Sequence, residues 1–303
     1  MAAVTLGDIT LNWREWGNPE GAPVVFAHGH GLDLRLWEGM IAALPQNLRL
    51  IAYDLRGHGG SSVGAGSMGA MIRDAEQLLE FLGVRDCVFV GHGLGGMVAQ
   101  GLAVKRLDLV RAMVLAQTSM KLGVPSVWTR VIEQVSAGGM ASVARDLHAR
   151  WFARANRASD LGRLWAARLM EQSPEGYIEA VRAISGTDFY TPTARLTLPS
   201  LVIGAYDDGV VPPDLVQETA GLIKGADYLL LRRAGHMAPV EAPEEMAQAI
   251  GAFLQRIGHA AGLTPEREAP VVEPSSGCGE DCYCEGGACG EHAHQHGAGC
   301  GCH

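Results

Sequence analysis

The sequence predicts a doubly wound α/β fold, with a mostly parallel sheet and a helical cap inserted between two of its strands. Three observations carry this expectation. Short, continuous apolar runs recur along the chain, each too short for a helix and each ending near Gly, Asp or a polar cluster. Helix-length amphipathic segments separate them. The alternation stops between about residues 121 and 196, where helical spacing continues without strands.

The runs Val24 to Ala27, Leu48 to Tyr53, Val88 to Val90 and Met113 to Leu115 come first, and Ser200 to Ile203 and Tyr228 to Leu231 follow late. Strands that are apolar at every position are buried on both faces, which implies a parallel sheet covered on both sides. Met68 to Leu82 places Met71, Ala75, Leu78, Leu79 and Leu82 on one helical face. Leu94 to Arg106 and Glu241 to Ile257 are further helices, with Pro243 tolerated in a first turn. Strand–helix alternation of this kind builds a doubly wound sheet. Trp128, Ile132 and Val135, then Val143, Leu147, Trp151 and Phe152, then Leu161, Leu164, Trp165 and Leu169 mark the inserted helices. An insertion there would lie over the carboxyl ends of the strands, where such sheets bind ligands. Trp128, Trp151, Phe152 and Trp165 are expected in the cap's own core. The expected organisation is a core of residues 1–120 and 197–257, a cap of 121–196, a linker of 258–274 and a tail of 275–303.

Composition excludes several classes. The net charge is −9, and seven acids against one Arg fall after residue 263, so the body is close to neutral. No basic face suggests nucleic acid, and no apolar run has membrane-spanning length. The N-terminus lacks a charged segment followed by an apolar one, so the expected compartment is the cytoplasm, where thiols stay reduced. Of seven cysteines only Cys87 lies in the body, beside Val88-Phe89-Val90, as a buried small apolar residue.

Four motifs carry the chemistry. His28-Gly29-His30-Gly31 follows the first apolar run. Asp54-Leu55-Arg56-Gly57-His58-Gly59-Gly60-Ser61 follows the second. Gly91-His92-Gly93-Leu94-Gly95 joins a strand to a helix. Asp207-Asp208 and Ala234-Gly235-His236 each follow a late strand. With these motifs the chain resembles the α/β-hydrolase family over about Val4 to Ile257, and most of all its 3-oxoadipate enol-lactonase and carboxylesterase branch.

The resemblance implies roles residue by residue. The backbone N–H groups of His30 and Leu94 would form an oxyanion hole. The Asp54 loop would be structural, with His58 a loop histidine, and His92 would sit beneath the turn. His236 would be the catalytic base. Its acid is Asp208 or Asp207: counting from Pro199 reaches Asp208, with Pro212 four residues beyond, whereas counting three from Gly204 reaches Asp207. Two counts favour Asp208. The sequence departs from the family at one position, because Gly93 stands where the nucleophilic serine belongs.

Glycine has no oxygen, so no acyl-enzyme forms at Gly93. Base, acid and oxyanion donors still suit activation of a water. The expected function is hydrolysis of a small ester, enol lactone or thioester, whose leaving group needs little help, with no cofactor for catalysis. The alternative is a catalytically inactive relative that binds a ligand or handles metal. A metal held by His30, His92 and His236 would be a further way to replace serine.

The tail interleaves Cys278, Cys282, Cys284, Cys289, Cys300 and Cys302 with His292, His294, His296 and His303. Thiolates and imidazoles at this density suit Zn²⁺, Cu⁺ or Ni²⁺, though the spacing matches no folded zinc module. The expected partners are a small-molecule ester or lactone and a metal ion. Oligomeric state is not readable from the residues.

Overall fold

The computed structural model describes residues 1–260, and at its centre is an eight-stranded sheet. Its strands are β1 (Ala2–Leu6), β2 (Ile9–Gly17), β3 (Pro23–Ala27), β4 (Arg49–Tyr53), β5 (Cys87–His92), β6 (Val110–Ala116), β7 (Ser200–Ala205) and β8 (Asp227–Leu231), in the order β1-β2-β4-β3-β5-β6-β7-β8. From β4 onward every neighbouring pair is parallel. Continuous apolar strands produce this because both faces need cover. Val24 and Phe26 of β3 enter one core, and Val25 and Ala27 enter the other. Val88 and Val90 of β5 likewise face away from Phe89.

Helices cover both faces. On one side lie α1 (Glu38–Ala43), which follows a single 3₁₀ turn at Leu34–Trp37, and α11 (Pro243–Arg256), which contributes Met246, Ile250, Phe253 and Leu254. On the other lie α2 (Met68–Phe81), α3 (Leu94–Lys105) and α9 (Pro213–Leu222), with Met71, Leu78, Met97, Leu102 and Val216 inward. Pro243 sits in the first turn of α11, where its missing N–H costs nothing. The short α10 (Ala238–Glu241) links His236 to α11.

Between β6 and β7 the chain forms only helices: α4 (Pro125–Gly138), α5 (Ala141–Trp151), α6 (Asp160–Met170), α7 (Pro174–Ser185) and the single turn α8 (Tyr190–Thr193). Val135, Leu147, Trp151, Phe152, Trp165, Leu169 and Tyr177 join the core shared with one face of the sheet. No helix among the described residues is long and apolar enough to cross a membrane.

Three features differ from expectation. β1 and β2 form an antiparallel hairpin on the β4 edge of the sheet, where no strand was anticipated. Ile9, Leu11 and Trp13 alternate there with Thr10, Asn12 and Arg14, as in a strand with one wet face, so no continuous apolar run exists. At the start of the expected linker, His259 and Ala260 are buried and the His259 ring donates to the Pro23 carbonyl. Trp128 is half-buried, packing against the core and also lining a cavity, while Trp151, Phe152 and Trp165 are buried as expected. The remaining linker and the Cys/His-rich tail of 275–303 lie outside the described residues.

Candidate active site

Gly93 is the single residue between β5 and α3, with φ 50° and ψ −114°. The turn is tight because a strand feeds directly into a helix that packs back on the sheet. A Cβ on Gly95 would collide with the Ala27 carbonyl, so that position accepts no side chain. Gly93 N–H donates to the Ala116 carbonyl at 3.0 Å, and Gly95 N–H donates to the His28 carbonyl at 3.0 Å. The Gly93 carbonyl accepts from Thr118 Oγ1 at 2.6 Å and from Gly96 N–H at 3.1 Å. These bonds lock the elbow from both flanking strands. Space at Gly93 itself is open. A Cβ there would stand 3.5 Å from Gly29 Cα and 3.7 Å from His236 Nε2, which are ordinary van der Waals distances.

His236 lies after β8 and is buried. Its Nδ1–H donates to Asp208 Oδ2 at 2.9 Å, which leaves Nε2 directed toward the elbow as the free acceptor. The other Asp208 oxygen accepts from Val210 N–H at 2.7 Å and Val211 N–H at 2.8 Å. A carboxylate so held presents one oxygen in a fixed direction, and that direction sets the histidine tautomer. Asp207 is exposed, and only its backbone is tied in, to the Ala234 carbonyl. Asp208, not Asp207, therefore contacts His236.

The loop after β3 approaches the elbow from the opposite side. Among the described residues, the N–H groups of His30 and Leu94 have no protein acceptor. The loop is fixed by its neighbours. His28 Nε2 accepts from Leu55 N–H at 2.9 Å and its Nδ1–H donates to the Gly29 carbonyl at 2.7 Å. His58 Nε2 accepts from Gly31 N–H at 3.1 Å. Arg56 and Asp74 form a buried two-pronged pair, at 2.6 and 2.7 Å, that anchors the His58 loop. His92 lies under the turn, with its Nε2–H donating to the His236 carbonyl at 2.8 Å. Burial holds His28 and His58 down at about 4, and pushes His92 well below the usual imidazole range.

A cavity of about 200 Å³ opens above Gly93. Gly93, His30 and His236 form its floor, and Trp128 of α4, Leu147 of α5 and Tyr177 of α7 contribute to its roof. The His30 ring lies 5.9 Å from Trp128, edge-on, and 5.4 Å from Tyr177. Tyr177, Arg150 and Asp146 were not anticipated, because nothing in the spacing of cap residues says which helix face looks down. The metal trio of His30, His92 and His236 does not assemble: His92 Nε2 is committed to a carbonyl, and among the described residues no three His, Cys, Asp or Glu side chains group to hold a metal.

The family model for the alpha/beta hydrolase fold matches residues 22–243. The chain is 27% identical over 259 residues to 3-oxoadipate enol-lactonase 2 of Acinetobacter baylyi, covering 84% of this chain and 96% of that protein. It is 32% identical over 246 residues to a non-heme haloperoxidase of Rhodococcus erythropolis, covering 75% of this chain and 89% of that one. Among solved structures, the enol-lactonase from Burkholderia xenovorans LB400 superposes with a TM-score of 0.81 at 25% identity, covering 84% of this chain and all of its own.

Proposed function

The chain belongs to the α/β-hydrolase fold family, and from that premise we propose that it hydrolyses a small ester, enol lactone or thioester by direct attack of water. His236 is the general base, Asp208 orients it, and the N–H groups of His30 and Leu94 stabilise the developing oxyanion. One observation carries this reading: His236 Nε2, held by Asp208, faces the side-chain position that Gly93 leaves open. A water there would lie where a nucleophile is needed and would give its proton to Nε2. Similarity to proteins named enol-lactonase supports the substrate class. A cavity of about 200 Å³ also favours a compact substrate, since small-molecule pockets usually span about 300–1,000 Å³.

Without a tethered nucleophile the rate enhancement is modest. Loss of a triad member in serine hydrolases leaves roughly 10³–10⁴-fold over water. An activated leaving group compensates, which is why enol lactones, thioesters and aryl esters are the substrates of choice.

Quenched single turnovers with p-nitrophenyl acetate, read by intact-mass spectrometry, test the reading. Direct attack by water leaves the chain unacylated and gives no p-nitrophenolate burst. An acetylated chain that goes on to release acetate refutes it. A second reading rests on Gly93 itself: a relative that binds its ligand without turning it over. No hydrolysis of any activated ester, together with activity in Gly93→Ser, establishes the second reading over the first.

A further inference from the structure

Seven histidines lie within the described residues, and His30 alone makes no hydrogen bond through its ring. His28, His58, His92, His148, His236 and His259 each engage at least one ring nitrogen with a protein partner. His30 is only 5% exposed, yet it lines the cavity beside Gly93 and His236. Its neighbours hold the ring by its faces and edges, not by polar contacts. Tyr177 and Trp128 pack against it, and the Trp128 indole N–H is already given to the Leu122 carbonyl. Burial, with His236 nearby, holds this imidazole down at about 3. It is therefore neutral at working pH, with one N–H and one bare nitrogen.

The missing serine gives such a group a task. A serine oxygen is held in place by its covalent bond to the backbone. A water in the same place is held by hydrogen bonds alone, and ordered buried waters make about two to four. His236 Nε2 supplies one. The Gly93 backbone supplies none, since its N–H is used by Ala116 and its carbonyl by Thr118 and Gly96. The Leu94 N–H belongs to the oxyanion.

We propose that His30 is a positioning residue for the nucleophilic water, its bare ring nitrogen accepting one O–H while His236 Nε2 accepts the other. The inference rests on the direct-water reading above. With both protons held by acceptors, the oxygen lone pairs face the carbonyl carbon. As the new C–O bond forms, the proton on the His236 side passes to Nε2. The proton on the His30 side stays on the product acid. The bond to the leaving oxygen then breaks, and that oxygen takes the proton from His236.

The test is His30→Phe, which keeps an aromatic ring against Trp128 and Tyr177, made in two backgrounds and assayed with p-nitrophenyl acetate. Where Gly93 is present, kcat falls about 10²-fold with KM within about threefold, the penalty expected of a misplaced nucleophile. In Gly93→Ser, where the nucleophile is tethered, the same substitution slows the acylation burst by a factor at least about tenfold smaller than the loss seen with Gly93. Equal losses in both backgrounds, or none in the first, overturn the proposal. A crystal structure of the unaltered chain gives a readout independent of activity. It should show a water within about 3.2 Å of both His236 Nε2 and a His30 ring nitrogen, absent in His30→Phe. No such water overturns the proposal whatever the kinetics. A water on both nitrogens in a protein that hydrolyses no ester supports the water site and overturns the hydrolase reading instead.

Discussion

His236 Nε2 lies 3.7 Å from the point where a Cβ on Gly93 would stand. A hydroxyl one bond further out falls within hydrogen-bonding reach of that nitrogen. The elbow therefore has room for a side chain it does not carry. Gly93→Ser should raise the turnover of p-nitrophenyl esters by at least about 10²-fold, because covalent attack becomes available. It should also make the chain label with a fluorophosphonate at residue 93. The φ of 50° places a non-glycine residue in a strained region, so stability should fall by about 1–3 kcal/mol. No labelling and no gain in turnover would show that the cavity is not an acyl site.

Asp208 and Asp207 are adjacent, but only Asp208 holds His236. Asp208→Asn removes the acceptor that fixes the Nδ1–H tautomer, and the hydrolysis rate should drop about 10²-fold or more. Asp207→Asn, at an exposed position, should stay within about twofold. Equal losses in the two variants would contradict the assignment.

The elbow was legible in the sequence because its signal is local: a strand, a glycine-rich turn and a helix within a few residues. Asp208 was only half legible. A one-residue difference in counting separates it from Asp207, and what decides is the pair of N–H groups from Val210 and Val211, which fix one side chain inward. The backbone role proposed for His30 rests on its position in its motif. Its side-chain environment could not, because Trp128 and Tyr177 come from helices about a hundred or more residues away. The β1–β2 hairpin escaped notice for a different reason: one face meets solvent, so its pattern alternates and never reads as an apolar run.

The Cys/His-rich tail carries a prediction from its chemistry alone. Six of the seven cysteines and four of the eleven histidines fall after residue 277. We propose that this segment binds a soft or borderline metal such as Zn²⁺, Cu⁺ or Ni²⁺. Elemental analysis should find metal on the full chain and none on a chain ending at residue 260. Ester hydrolysis should stay within about twofold in the shortened chain and after chelation. Hydrolysis lost on chelation would place a metal in the cavity and displace the metal-free mechanism.

Acid should unfold this protein through its buried histidines. Burial holds His28 and His58 at about 4, His30 at about 3, and His92 well below the ordinary value of 6.5. Below pH 6.5 the unfolded chain binds protons that the fold refuses. The stability these groups give is thus complete above pH 6.5 and is lost as pH falls toward about 4. His28 and His58 each account for up to about 3 kcal/mol of this loss, a large share of the roughly 5–15 kcal/mol stability of a typical domain. Asp54, Asp74 and Glu241 act in the opposite sense, since burial raises them and the fold accepts their protons more readily than the unfolded chain does. Their help begins as pH falls through their raised folded values, above the ordinary carboxyl range, and so offsets part of the histidine loss. The urea midpoint should be level from pH 8 to 7 and fall steeply between pH 6.5 and 4.5. His58→Gln keeps an acceptor for Gly31 N–H but cannot titrate, so its midpoint should fall less steeply, by about one proton in the slope of stability against pH. A midpoint unchanged down to pH 4.5 would mean that these imidazoles are not buried neutral, and would contradict the packing of both loops around the elbow.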